Sequence, residues 1–211
     1  MQKNLYSLML TDEVVARIDA LASQNGTNRS NMINQILAEY VSYTTPEMKI
    51  NHIFEHFNQL INSQIFSLVS SQNERVLSLK TSLAYKYNPT IKYGVELYRN
   101  PTNVIGELKV LFRTQSPELI YKLNSFFDLF IAIEKKYLPI SPTYTFEGTK
   151  YSRTLIIPKN TYYSNEETAR AINDYVKNFD AMLKKYLLDE YVEVKQVEND
   201  YKIFLTKSKV I

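Results

Sequence analysis

Residues 3–41 read KNLYSLMLTDEVVARIDALASQNGTNRSNMINQILAEYV. From Lys3 to Leu10 the side chains alternate, with Tyr6, Leu8 and Leu10 on one face and Lys3, Leu5, Ser7 and Met9 on the other. Alternation of this kind predicts a strand, because successive side chains of an extended chain point to opposite sides. Thr11, Asp12 and Glu13 then predict a helix start, with a hydroxyl for the orphan N–H groups and carboxylates at the positive end of the dipole. Val14, Val15, Ile18, Leu21 and Ala22 recur at helical spacing, and Asn25-Gly26 supplies a C-terminal stop. Thr27 or Asn28 opens a second helix whose apolar stripe is Ile33, Ile36, Leu37, Tyr40 and Val41. The order is strand, helix, turn, helix.

A unit this small cannot cover its own apolar faces, so it needs a partner, and a second copy is the simplest one. The pattern resembles the ribbon-helix-helix family of Arc, MetJ and CopG-type repressors. The resemblance is carried by the Leu-Thr-Asp-Glu entry, the Asn-Gly turn and the Arg-Ser-Asn start of the second helix, and it spans about a fifth of the chain. It implies an intertwined homodimer whose two strands enter the major groove of double-stranded DNA as a ribbon. Tyr6, Leu8, Leu10, Ile33 and Leu37 would then form the dimer core. Lys3, Leu5, Ser7 and Met9 would face the groove, and Thr27, Asn28, Arg29 and Ser30 would dock the helix N-terminus on phosphate. Asn28 and Ser30 as plain helix caps is the alternative.

Two features of this segment bear on DNA. In the groove-facing set only Ser7 both donates and accepts hydrogen bonds, while Leu5 and Met9 offer contact to thymine methyls at most. Residues 1–45 carry three basic and four acidic side chains, one negative charge net, leaving +4 to the remainder of a chain with net charge +3. Counterion release from this segment alone is therefore small.

The rest of the chain, residues 46–211, predicts an α+β domain. Thr44-Thr45-Pro46-Glu47 opens a long helix expected over about 47–87, on the stripe Ile50, Ile53, Phe57, Leu60, Ile61, Ile65, Leu68, Val76, Leu79 and Leu83. Strands are expected at Ile91–Arg99 and Glu107–Arg113, and a helix from Ser116-Pro117-Glu118 to about Tyr137. A hairpin about Glu147-Gly148 follows, then a helix from Ser164 to about Asp189. A last hairpin is expected from Val192–Val197 and Tyr201–Thr206. The expected rhythm is helix-hairpin three times, an antiparallel sheet with helices.

Composition narrows function. With no cysteine, thiolate metal sites and disulfides are excluded, and a cytoplasmic setting is the plain expectation. No stretch approaches the roughly 18 apolar residues of a membrane span. His52 and His56, four apart on a predicted helix, have metal-ligand spacing but make two ligands only, so a solvated polar face is the competing reading. Seventeen tyrosines suit half-buried strands and helix ends, with an aromatic effector pocket or base-stacking surface as the alternative. Lys92, Arg99, Lys109, Arg113, Lys150, Arg153 and Lys159 fall in or near the hairpins, either as a solvated edge or, if the strands share one sheet, as a second basic surface. No phosphate loop, nucleophile elbow or cofactor motif occurs, so neither an enzyme nor a cofactor is expected.

The expectation is thus a homodimeric DNA-binding protein, a transcriptional repressor or a plasmid or mobile-element control protein, with a higher oligomer on DNA as the alternative to a single dimer. Its second domain would hold a protein partner or a small-molecule effector. An assembly protein using the fold only to dimerise, and a ligand sensor with an aromatic pocket, are the two alternatives.

Overall fold

The computed structural model describes residues 5–69, 75–85 and 88–211. Among these the protein is mixed α and β, with six helices and one six-stranded antiparallel sheet. Two helices come first: α1, Asp12–Gln24, and α2, Arg29–Tyr40. They turn about Gly26, whose φ of +64° is the left-handed conformation that glycine adopts without penalty. Asn28 caps α2 by accepting the Asn31 N–H at 3.0 Å, whereas Thr11 makes no side-chain cap on α1. Residues 5–11 ahead of α1 carry no regular structure, so the expected strand is not formed within one chain. Lys3 lies outside the described residues.

The helix expected over 47–87 stops early. Helix α3 spans Pro46–Leu60, capped by Thr45, and buries Ile50, Ile53, Phe54 and Phe57. Beyond it the Asn62 side chain accepts the Gln64 N–H, and the Asn62 carbonyl accepts from both Ile65 and Phe66. A short edge strand β1, Ser67–Val69, and strand β2, Val76–Ser82, follow. The reason is a period misread as 3.6. Val76, Leu79 and Leu83 fit a helix, but Leu77, Leu79 and Thr81 alternate inward with period two, and Leu83 continues the series. Positions 70–74 and 86–87, which the expected helix also spanned, lie outside the described residues.

Strands β3, Thr90–Leu97, and β4, Val104–Arg113, pair antiparallel as expected. Helix α4, Pro117–Tyr137, starts on Ser116, whose hydroxyl accepts the Leu119 N–H, with Pro117 in the first turn where no N–H is missed. Strands β5, Tyr144–Glu147, and β6, Lys150–Ile156, form the Gly148 hairpin. Helix α5, Asn165–Leu187, begins with a complete capping box between Ser164 and Glu167. The final segment is a helix, α6, Val194–Lys207, and not the expected hairpin. Val197 and Tyr201, four apart, are its buried residues, and burying that one face decides the period. The helix-hairpin rhythm therefore holds only in part: the opening helix is cut short and the first two of the three expected hairpins stand, within one sheet of order β1-β2-β3-β4-β6-β5.

One face of the sheet is the core. Leu79, Tyr93, Val110 and Tyr151 make one row across β2, β3, β4 and β6, and Leu77, Val95, Leu108 and Arg153 the next. Onto them pack Phe126, Phe127 and Phe130 of α4 and Phe179 of α5, with Phe127 stacked 4.6 Å from Tyr151 and Phe179 edge-on to Tyr93. Each such ring, wholly buried, is worth about 3–5 kcal/mol against alanine. At Gly106 the β4–β6 register shifts, and a Cβ there would sit 2.1 Å from the Glu96 carbonyl oxygen. Helices α1 and α2 keep a separate small cluster of Ile18, Ala22 and Met32, with Ile33 packed against it.

Candidate dimerisation and nucleic-acid interface

Residues 5–43 leave most of their large apolar side chains open to solvent. Of twenty large hydrophobic side chains exposed among the described residues, twelve lie between Leu5 and Tyr43, a fifth of the chain. What α2 buries is Met32 and Ala38, while Ile36, Leu37, Tyr40 and Val41 of its expected stripe stand open. A monomeric surface rarely gathers so many exposed large apolar side chains in one short segment.

Ahead of α1 the exposures still alternate. Leu5 and Met9 are 98% and 101% exposed, against 59% for Leu8 and 42% for Leu10, with Tyr6 between at 78%. The side expected to face a dimer core is thus the less exposed of the two, though all of it is open to solvent.

At the start of α2 the phosphate-docking set is partly spoken for. The Asn28 cap takes the Asn31 N–H, leaving the Arg29 and Ser30 N–H groups at the open helix end. Arg29 is held two-pronged by Asp19 of α1, Nε to Oδ1 at 2.7 Å and Nη2 to Oδ2 at 2.5 Å. That hydrogen bond keeps the Asp19 carboxyl below its usual range and raises Arg29. The charge proposed for a phosphate is therefore already balanced within the chain. Ser30 is exposed, and the Thr27 hydroxyl is shielded from solvent without a partner.

His52 is exposed and His56 half-buried on α3, and among the described residues no group of three metal-binding side chains includes them. Tyr93, Tyr151, Tyr175 and Tyr201 are wholly buried in the core, where they pack against phenylalanine rings.

Two arrangements of charge stand on the sheet, and the sequence reading missed the first while raising the second as an alternative. The first is a buried ion pair. Arg153 of β6, expected at a solvated edge, is 1% exposed. Its Nε donates to Glu134 of α4 at 3.0 Å, Nη1 to the Thr154 carbonyl and Nη2 to the Ile211 carbonyl, with the Tyr175 ring 4.2 Å away. Tyr201 donates to the other Glu134 oxygen. Burial works against the Arg153 charge, but Glu134 together with Tyr175, Tyr151 and Tyr201 outweighs it and holds the guanidinium protonated. A second buried carboxyl, Asp180, accepts from Tyr93 and Lys184, and burial raises it despite Lys184. A charge facing inward from a strand that otherwise alternates apolar was the only available signal.

The second arrangement is the outer sheet face. Lys80, Lys92 and Lys150 fall in one cross-strand row, through Leu111, with Arg113 one pleat beyond. Lys109 shares the face but is paired with Glu96 and Glu107.

The chain matches no family model, no curated protein and no solved structure. No helix among the described residues is long and apolar enough to cross a membrane.

Proposed function

We propose that residues 1–45 are a ribbon-helix-helix module through which two chains dimerise and dock on double-stranded DNA, and that the protein is a DNA-binding regulator of the repressor or mobile-element control kind. The observation that carries this reading is the set of exposed apolar side chains Leu8, Leu10, Leu37 and their neighbours, on a segment with two successive helices turned about Gly26 and an alternating apolar sequence ahead of them. A second copy covers those side chains and completes the ribbon at one stroke. The two N–H groups left open at the start of α2 then face phosphate, as helix N-termini do.

A second reading has its own support. The Arg29–Asp19 pair, the apolar Leu5 and Met9 and the negative charge of residues 1–45 all favour a module that dimerises without reading bases. One experiment separates them. Sedimentation of the purified chain reports the dimer, and a salt series of duplex binding compares DNA flanking its own gene with random DNA. Salt-sensitive binding that prefers the flanking DNA supports the regulator. A stable dimer that binds neither duplex at low salt leaves an assembly device.

A further inference from the structure

We infer that the solvent face of the β-sheet is a second, sequence-independent contact for the DNA backbone. The inference rests on the DNA-docking reading of residues 1–45 and names where most of the affinity comes from. Helices α3, α4 and α5 all pack on the side of the sheet that holds Leu79, Tyr93 and Tyr151, and among the described residues Lys80, Lys109, Arg113 and Lys150 stand exposed on the opposite side. On the other side, register places Lys80 opposite Lys92, Lys92 opposite Leu111 and Leu111 opposite Lys150. Neighbouring strands lie about 4.8 Å apart and a two-residue step along a strand is about 6.8 Å, so the row spans roughly 14 Å with Arg113 one step to its side.

These four cations have no ion-pair partner among the described residues, in contrast to Lys109. Lys80, Arg113 and Lys150 are exposed and Lys92 is half-buried. Ser82 and Thr90, neighbours across β2 and β3, add hydroxyls beside Arg113. Of the carboxylates on the face, Glu96 and Glu107 lie at one end and hold Lys109, while Glu147 of the edge strand stands opposite Lys150 without forming an ion pair with it.

Charge complementarity identifies the occupant. Unpaired cations and hydroxyls spaced over a pleated surface match a row of phosphates. No aromatic side chain stands on this face of β2, β3, β4 or β6, so nothing there stacks on a splayed base, which argues for duplex backbone and against single strands. The arrangement also accounts for the charge asymmetry of the chain. A module with one net negative charge gains little from counterion release, and a basic face on the following domain supplies it.

The test uses the full chain in four forms: wild type, the face variant K80Q/K92Q/K150Q, the module variant S30E, and both combined. Each is titrated with flanking and random duplex across a salt series, with sedimentation and melting as controls on dimer and fold. The face variant is expected to flatten the slope of log K against log salt by about 2–3, and to weaken flanking and random DNA alike by on the order of 100-fold at 0.1 M salt. An unchanged slope in the face variant overturns the inference, whatever the module does, and so does absence of any duplex binding by the wild type at low salt. If S30E binds like wild type while the face variant loses its slope, the sheet contact stands and the module reading falls.

Discussion

Replacing Glu134 with alanine strands a guanidinium in the core. Arg153 and Glu134 are 1% and 0% exposed, and the carboxylate is the counter-charge of Arg153 as well as the acceptor for Tyr201. Breaking a buried pair from one side leaves an uncompensated charge and costs about 3–5 kcal/mol. Tyr201 also loses its acceptor, which places the expected loss in the upper part of that range. For a chain of this length each kcal/mol lowers the melting temperature by about 2–4 °C, so E134A should melt roughly 10–20 °C below wild type. Equilibrium denaturation followed by circular dichroism measures the loss, and a double-mutant cycle identifies its cause. The pair E134L/R153L removes both charges and replaces them with apolar volume. It should be markedly more stable than the sum of E134L and R153L, with a coupling of about 2 kcal/mol or more. A loss below about 1 kcal/mol in E134A, or a double variant as unstable as the summed singles, would refute the account.

Three further outcomes follow from named contacts. Leu37→Ala removes an apolar group that is exposed in one chain and buried in the proposed dimer. It should weaken self-association by about ten- to a hundredfold without lowering monomer stability, and sedimentation at several concentrations checks this. Asp180 is a carboxyl raised by burial. The folded state therefore holds its proton to higher pH than the unfolded chain, and the stability linked to it is full below the ordinary value of 3.8 and is lost as pH rises through the raised folded value. Stability of D180N should lack that decline, read from denaturation midpoints at a series of acidic pH values; parallel curves for variant and wild type would count against it. Gly106→Ala drives a Cβ into the Glu96 carbonyl across the β3–β4 ladder and should cost about 1–3 kcal/mol by distorting the bulge, a loss that a melting curve detects.

The sequence by itself determined what short-range chemistry determines. Asn28, Ser116 with Pro117, and Ser164 with Glu167 start helices where the local rules place them, because a cap is an exchange of hydrogen bonds within four residues. Gly26 and Gly148 turn the chain with positive φ, and the alternation from Ile91 to Leu97 is a strand. Two segments satisfied both periods. Val76 to Leu83 and Val192 to Thr206 each fit a helix and a strand on paper. Only their neighbours chose: β3 offered a ladder to the first, and Phe130 with Glu134 offered a buried seat for Tyr201 to the second. Tertiary structure alone set the strand order, which inserts β6 between β4 and β5, and so brought Lys150 into the row of Lys80 and Lys92 and turned Arg153 inward onto Glu134. Those placements depend on pairing between residues far apart in the chain, and no local pattern of side chains encodes which distant strand will be the neighbour.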